Sequence, residues 1–359
     1  MSSRRQRLLL LTRIAVWLVV IACVFVFARN LRWHAVWNSL RAANPALLLL
    51  AVVLWIPCTA LQGTRWFSLV RAVKPIDWLT VVSCAYVGYA GSAVLPMRAG
   101  EAVRIELLAR SAGLPRVVSL GTVAIDHTVN GVVMFLVAAT LPLVLPVPVW
   151  TRIIVWSGVG VAAVLVAVML RLARKPSLRK TPPGKVMDVI LRLRAGLVGL
   201  RRPRSALGAF AAAASAWTLE IAMTMTALAA FHLPHGVGAA MAVLFGVNLA
   251  LAMPAPPANL GNFELGAGFA LVALGGDRDQ SAAFALGLHA LQVLPTLLMG
   301  AVSLLRFRGR QLAAAAHAAA HPSEIEEAVE EQAAVAPIPP ETPPRESGTQ
   351  SPRPVGSPP

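Results

Sequence analysis

Apolar runs of roughly bilayer length alternate with short basic or proline-bearing breaks along most of this chain. The runs predict spans over residues 8–28, 46–61, 78–95, 117–141 and 149–170, and after a basic connector (171–203) over 207–231, 237–254 and 282–305. Asn44-Pro45 opens the second span, and the polar Gln62-Gly-Thr-Arg65-Trp66 closes it. Two further stretches read as helices lying in the membrane surface. One is 31–40, which carries Trp33 and Trp37, and the other is 185–200, with apolar residues at helical spacing opposite basic ones.

Two of the apolar runs end in polar knots that bear proline, glycine and a glutamate. The first reads Gly91-Ser-Ala-Val-Leu-Pro96-Met-Arg98-Ala-Gly100-Glu101-Ala-Val-Arg104, and the second Met253-Pro254-Ala-Pro256-Pro257-Ala-Asn259-Leu-Gly261-Asn262-Phe-Glu264. Matching features recur at a near-constant interval: Pro45 and Pro203 are 158 residues apart, Pro96 and Pro257 161, Gly113 and Gly275 162, Asp126 and His289 163. The order of features predicts an internal duplication with halves at about 31–145 and 186–305, joined by the fifth span. The fold expected is therefore an all-α polytopic membrane protein of about eight transmembrane helices plus two re-entrant or broken segments. Whether the halves run parallel or inverted depends on whether each knot completes a crossing, and the hydropathy pattern leaves both open.

Composition agrees with this class: 57% of the 359 residues are apolar and 13% charged, too little charge to cover a soluble domain of this size. The net charge of +16 is concentrated between spans, with 30 Lys and Arg against nine acids through residue 310. Such placement suits topology and anionic-lipid contact, and no nucleic-acid recognition motif accompanies it. Cys23, Cys58 and Cys84 lie in apolar segments and read as buried small side chains. Residues 1–310 form the transmembrane domain. Residues 311–359, rich in Ala, Glu and Pro, read as a disordered tail. His317 and His321 stand four apart with no third ligand in view, so no metal or other cofactor is expected.

A polar break inside a membrane has to be hidden in protein or face water, because lipid cannot satisfy freed backbone groups. Pro96 and Gly100 can end one half-helix and start another, whose N-terminus favours an anion. Arg98 and Arg104 flank that start and suit a phosphate, and Glu101 is within helical reach of both. In the second knot Pro257 and Gly261 break the helix, Asn259 and Asn262 supply polar groups, and Glu264 begins an apolar helix. Asp126 and Asn130 share a stripe on the fourth span with Thr122. Glu220 sits in the sixth, and His289 and Gln292 share a face of the eighth. Arg98, Glu101, Arg104, Asp126, Asn130, Asn259, Asn262, Glu264 and His289 are thus the candidate substrate-binding residues. No phosphate-binding glycine loop, nucleophile elbow or paired-ligand metal motif occurs, so enzyme activity is not expected.

At these residues the chain resembles the flippase-like domain family, the transmembrane region of lysylphosphatidylglycerol synthases. The resemblance rests on Asn44-Pro45, Leu61-Gln62-x-x-Arg65-Trp66, Leu95-Pro96-x-Arg98-x-Gly100-Glu101-x-x-Arg104, Gly261-x-Phe263-Glu264 and His289, and covers about residues 8–310. It implies a multi-pass inner (plasma) membrane protein that moves a lipid between leaflets. The chain departs from the family pattern at Asp126-His127 with Asn130, and at Pro256-Pro257-Ala258. Only a tail follows residue 310, so lysyl transfer is not expected. The partner implied is an anionic phospholipid or polyprenyl phosphate as substrate. Two other readings stand beside it: a non-catalytic membrane partner of a cell-envelope glycosyl- or aminoacyl-transferase, and a transferase working through Glu101 and Asp126.

Overall fold

The computed structural model describes residues 31–95, 99–146, 148–174, 202–252 and 259–320, together with Arg29 and Gly199. Among them every regular element is a helix. The first half contains α1 (Trp33–Ala42), α2 (Pro45–Val73), α3 (Trp78–Val94), α4 (Gly100–Ala112), α5 (Arg116–Ala138) and α6 (Leu141–Val144). Then follow α7 (Val149–Arg174), α8 (Pro203–Ala230), α9 (Val237–Leu251), α10 (Asn262–Ala273), α11 (Arg278–Leu304) and α12 (Gly309–Ala320). Five stretches are long and apolar enough to cross a membrane: Pro45–Val73, Arg116–Val144, Val149–Val168, Pro203–Ala230 and Arg278–Leu304. They are the expected second, fourth, fifth, sixth and eighth spans. The first span, residues 175–198 of the connector with its surface helix, and residues 321–359 lie outside the described residues.

The expected third and seventh spans are shorter than a crossing. The 17 residues of α3 and 15 of α9 rise about 25 and 22 Å, against a hydrocarbon core of about 30 Å. Each instead packs antiparallel on the short helix that follows it, making two helical hairpins, α3–α4 and α9–α10. Glycines set how closely the arms meet. A Cβ on Gly100 would lie 2.0 Å from the Gly88 carbonyl oxygen, and one on Gly266 2.6 Å from that of Gly246. Small residues let helix backbones approach where no water is present to drive association.

The second span extends further than expected. Asn44 caps α2 by accepting from the N–H groups of Ala46 and Leu47, and the helix runs 29 residues to Val73. Gln62, Thr64 and Arg65 do not end it, because each finds a partner: Gln62 and Thr64 one turn back on α2, at Cys58 Sγ and the Ala60 carbonyl, and Arg65 across the bundle at Asp126. Along its length α2 lies against the alanine-rich α8, close enough for the Cys58 thiol to donate to the Ala216 carbonyl at 3.3 Å. Trp55, Cys58, Ala216, Met223 and Phe284 belong to the core beside this seam.

Contacts at the helix ends fix the direction of each element. At one end the Asn44 N–H donates to the Ala230 carbonyl at 2.9 Å, Arg32 pairs with Asp279 at 2.6 Å, and Thr140 meets Met241. At the other, Arg306 reaches Asp77 at 3.4 Å and Gln311 reaches Ser111 at 3.3 Å. The free ends of α3–α4 lie at the α12 end and those of α9–α10 at the α1 end. The two hairpins therefore enter the bundle from opposite ends.

On α1, Trp33 and Trp37 are exposed while Val36 is buried, in keeping with an interfacial helix. Asp279 also accepts the Arg32 N–H at 3.1 Å, tying α1 to the start of α11. Most of the Arg32 side chain is exposed, so Asp279→Asn is expected to cost about 1 kcal/mol or less, a small shift in thermal unfolding. At the far end, residues 311–320 were expected to begin the tail but belong to α12. Alanine favours helix, and Ala315 is buried in the core that α12 shares with α4.

Candidate functional site

The start of α4 brings together charges that the sequence keeps far apart. Arg65 of α2 donates from Nε to Asp126 Oδ1 at 2.7 Å and from Nη2 to Oδ2 at 3.2 Å. Its Nη1 donates to Asn130 Oδ1 at 2.6 Å, which also accepts from Trp217 Nε1 at 3.3 Å. Arg104 of α4 donates from Nε to Glu101 Oε2 at 2.6 Å and from Nη1 to Asp126 Oδ2 at 3.3 Å, while Nη2 lies 3.0 Å from His127 Nε2. The Arg104 guanidinium lies 5.0 Å from the centre of the Trp66 ring and 5.9 Å from that of Tyr89. Trp66 is held in turn by Thr122 at 3.2 Å.

Two arginines face two carboxylates in this network, so the interior charge balances. Asp126, at 0% exposure, bridges both arginines. Such a cluster stays ionised only because each charge is paired and hydrogen-bonded. The inner members are closed off: Arg65 is 4% and Arg104 1% exposed. The outer edge is open, with 29% of the Glu101 side chain and 52% of His127 accessible. Beside the network on α3, the hydroxyls of Tyr89 and Ser92 are buried without a hydrogen-bond partner among the described residues. Such orphan donors mark a place where water or a ligand group fits.

The start of α10 is built differently. Gly261 (φ 86°) precedes α10 in a left-handed conformation that glycine adopts without a side-chain clash. Its N–H donates to Glu264 Oε2 at 2.7 Å, capping the helix. The other carboxylate oxygen lies 2.6 Å from His289 Nδ1 on α11, and the imidazole stacks on Phe263 at 4.4 Å. Both side chains are buried. Asn262 is buried and donates to the Ala250 carbonyl at 3.4 Å, and Asn259 has a left-handed backbone (φ 55°).

Glu101, Arg104, Asp126 and Asn130 thus meet at one site, and Asn262, Glu264 and His289 at another. Pro96, Arg98 and Pro257 lie outside the described residues. Gly100 opens α4 and packs against α3. Glu220, in the middle of α8, makes no side-chain hydrogen bond among the described residues. Sequence reasoning did not rank Arg65 or His127 as site residues. A signal for His127 was present: it stands 162 residues before His289, the interval that separates Gly113 from Gly275, whereas Asp126 is one position off. Arg65 was readable as the counter-charge that an intramembrane aspartate requires.

A family model described as the lysylphosphatidylglycerol synthase TM region matches residues 12–300 of the chain. None of the curated proteins matches it.

Proposed function

From its membership of the lysylphosphatidylglycerol synthase TM region family, we propose that this multi-pass membrane protein is a transporter of the inner (plasma) membrane that moves a phosphate-bearing lipid between leaflets. The observation that carries this reading is the buried, charge-balanced network at the start of α4, open along its Glu101–His127 edge. Arg65 sits about 12 Å from the C-terminal end of α2, and Asp126 about 15 Å from the start of α5, at 1.5 Å per residue. A headgroup at the network would lie below the membrane surface, in the part of the bundle nearer the α12 end. The acyl chains would stay in the surrounding lipid.

Arg104 acts behind the contact surface, since its three nitrogens are engaged by Glu101, Asp126 and His127. It fixes Glu101 at the open edge of the network. Arg98, three residues ahead of Glu101, is the arginine assigned to the phosphate itself. The orphan hydroxyls of Tyr89 and Ser92 supply neutral donors for the same group. No group transfer takes place in this reading, and substrate stays chemically unchanged.

The halves read as inverted repeats. Pro45 and Pro203 open α2 and α8 at an interval of 158, and Arg116 and Arg278 open α5 and α11 at 162. Hairpins entering from opposite ends would let one open to each side in turn, the arrangement expected of alternating access. Basic residues at the α12 end, among them Arg306, Arg308 and Arg310, support a cytoplasmic position for it.

Lipids that co-purify with the protein, identified by mass spectrometry, test the reading. A phosphate-bearing lipid is expected with the wild type and to fall at least tenfold in Arg98→Ala. The same lipids in equal amount on both proteins would remove the first hairpin as the headgroup site.

A further inference from the structure

We infer that the Glu264–His289 pair is a proton-binding site, and that the second hairpin exchanges a proton with water where the first exchanges a lipid headgroup. The half-chain intervals show how the two sites differ. The interval of 158 between α2 and α8 carries Arg65 onto Met223. The interval of 162 carries Arg104 onto Gly266, Asp126 onto Leu288 and His127 onto His289. Met223 and Leu288 are both fully buried. A carboxylate in the first turn of the hairpin's second arm faces a histidine in both halves, Glu101 with His127 and Glu264 with His289, although the interval of 162 carries Glu101 onto Phe263, one position before Glu264. The fixed charges that ground the first pair are missing from the second.

Glu264 therefore has no arginine or lysine within salt-bridge distance among the described residues. The packed neighbours supply none: α9 has no ionisable residue, α10 has only Glu264, and α3 offers only Cys84, Tyr86 and Tyr89. On α11, Arg278 and Asp279 stand at the α1 end, about 15 Å of helix rise away from His289, and Asp279 holds Arg32. Of the α2 cations, Arg65 is held by Asp126 and Asn130, and Arg71 lies near the opposite end over Phe67. Arg204 is at that same end of α8, and Glu220 is itself an acid. On α1, His34 is bonded to Asn38 and Arg41 stacks on Trp37.

The charge of Glu264 is thus balanced by one proton carried between it and His289. With that proton the pair is neutral overall, as imidazolium Nδ1–H donating to carboxylate Oε1 across 2.6 Å. When the proton leaves, the products are a neutral imidazole, a bare buried carboxylate with a net charge of −1, and a proton handed to water. The bare carboxylate is costly in a closed apolar site, so release requires the hairpin to open. His289 Nε2 makes no hydrogen bond among the described residues, which leaves one ring nitrogen available to water. Glu264 Oε2 stays on the Gly261 N–H throughout, so the carboxylate is held while its proton changes hands.

That this proton drives lipid movement rests on the transport reading above, whereas proton binding by the pair does not, and two measurements separate them. The first is nitrogen NMR of histidine-labelled protein in lipid nanodiscs, with the His289 signal identified by its loss in His289→Gln. Should that variant fail to assemble, Phe263→Leu, which removes the stacked ring, identifies the signal by its shift. His289 is expected to carry the shared proton while Glu264 is present, and to lose it in Glu264→Gln. A neutral His289 in the wild type overturns the proton site. The second measurement follows fluorescently tailed phosphatidylglycerol across proteoliposomes under an imposed pH gradient. A severalfold gradient effect in the wild type, absent in Glu264→Gln, supports the coupling, and a rate indifferent to the gradient overturns it. Imidazolium in the first measurement with no probe movement in the second overturns the lipid reading alone and leaves the proton site standing.

Discussion

The Asp126→Leu protein is expected to lose about 3–5 kcal/mol of stability, and adding Arg65→Met is expected to return most of it. Asp126 is wholly buried and accepts from both Arg65 and Arg104. Removing it leaves two buried guanidinium groups with one carboxylate, Glu101, between them. An uncompensated interior charge is worth more than the pair it came from, because desolvation is no longer offset. The double substitution restores the balance: Arg104 and Glu101 remain as one pair, and Met and Leu are the residues that the second half carries at the corresponding positions, Met223 and Leu288. Thermal unfolding in one detergent, read by loss of the monodisperse peak, compares the three proteins. If the double variant is no more stable than Asp126→Leu, charge balance is not what keeps Asp126 in place. Lipid co-purification is expected to stay low in both, since neither rebuilds the network behind the headgroup edge.

Hydropathy made the long helices legible because each keeps an apolar exterior over about 20 residues, which a window average detects. The same average misread α2 at its C-terminal third. Gln62, Thr64 and Arg65 fall together and look like an exit to water, yet Gln62 and Thr64 bond back along α2, Arg65 is buried against Asp126, and the helix runs on to Val73. Window averages record how many polar residues occur, not whether their own helix or another one supplies a partner. Arg65 meets Asp126 from 61 residues away in sequence, a pairing that no local pattern encodes. For α3 and α9 the reverse holds. Their composition is as apolar as a span, but the glycines at 88, 100, 246 and 266 let each fold tightly on its successor. The Glu264–His289 contact was foreshadowed by two ionisable residues in otherwise apolar segments, since such residues need a partner. What the sequence could not supply was the direction of each hairpin. That follows from end contacts such as Arg32–Asp279 and Arg306–Asp77, between residues more than 200 positions apart.

Gly100→Ala is expected to disrupt the first hairpin and with it the site, at a cost of about 3 kcal/mol or more. The added Cβ would stand 2.0 Å from the Gly88 carbonyl oxygen and 2.2 Å from the Ser92 backbone nitrogen. Both are backbone atoms, so no side chain can swing aside and the arms themselves must part. Arg104 moves with that separation, because its Cβ lies only 2.7 Å from where a Gly88 Cβ would be. Its guanidinium would then leave Asp126 and the rings of Trp66 and Tyr89, and Glu101 would lose the hydrogen bond that orients it. The effect therefore reaches lipid binding as well as stability. Gly131→Ala on α5 is the matched control: nothing lies within 4 Å of its Cβ, and exchanging glycine for alanine inside a helix gains up to about 1 kcal/mol. Gly266→Ala, directed at the Gly246 carbonyl at 2.6 Å, should destabilise in the same direction through the second hairpin. Thermal unfolding and co-purified phosphate-bearing lipid are the two readouts. A Gly100→Ala protein as stable and as lipid-loaded as Gly131→Ala would mean that the close crossing of α3 and α4 does not position the charged network. The headgroup site would then have to be sought away from this hairpin.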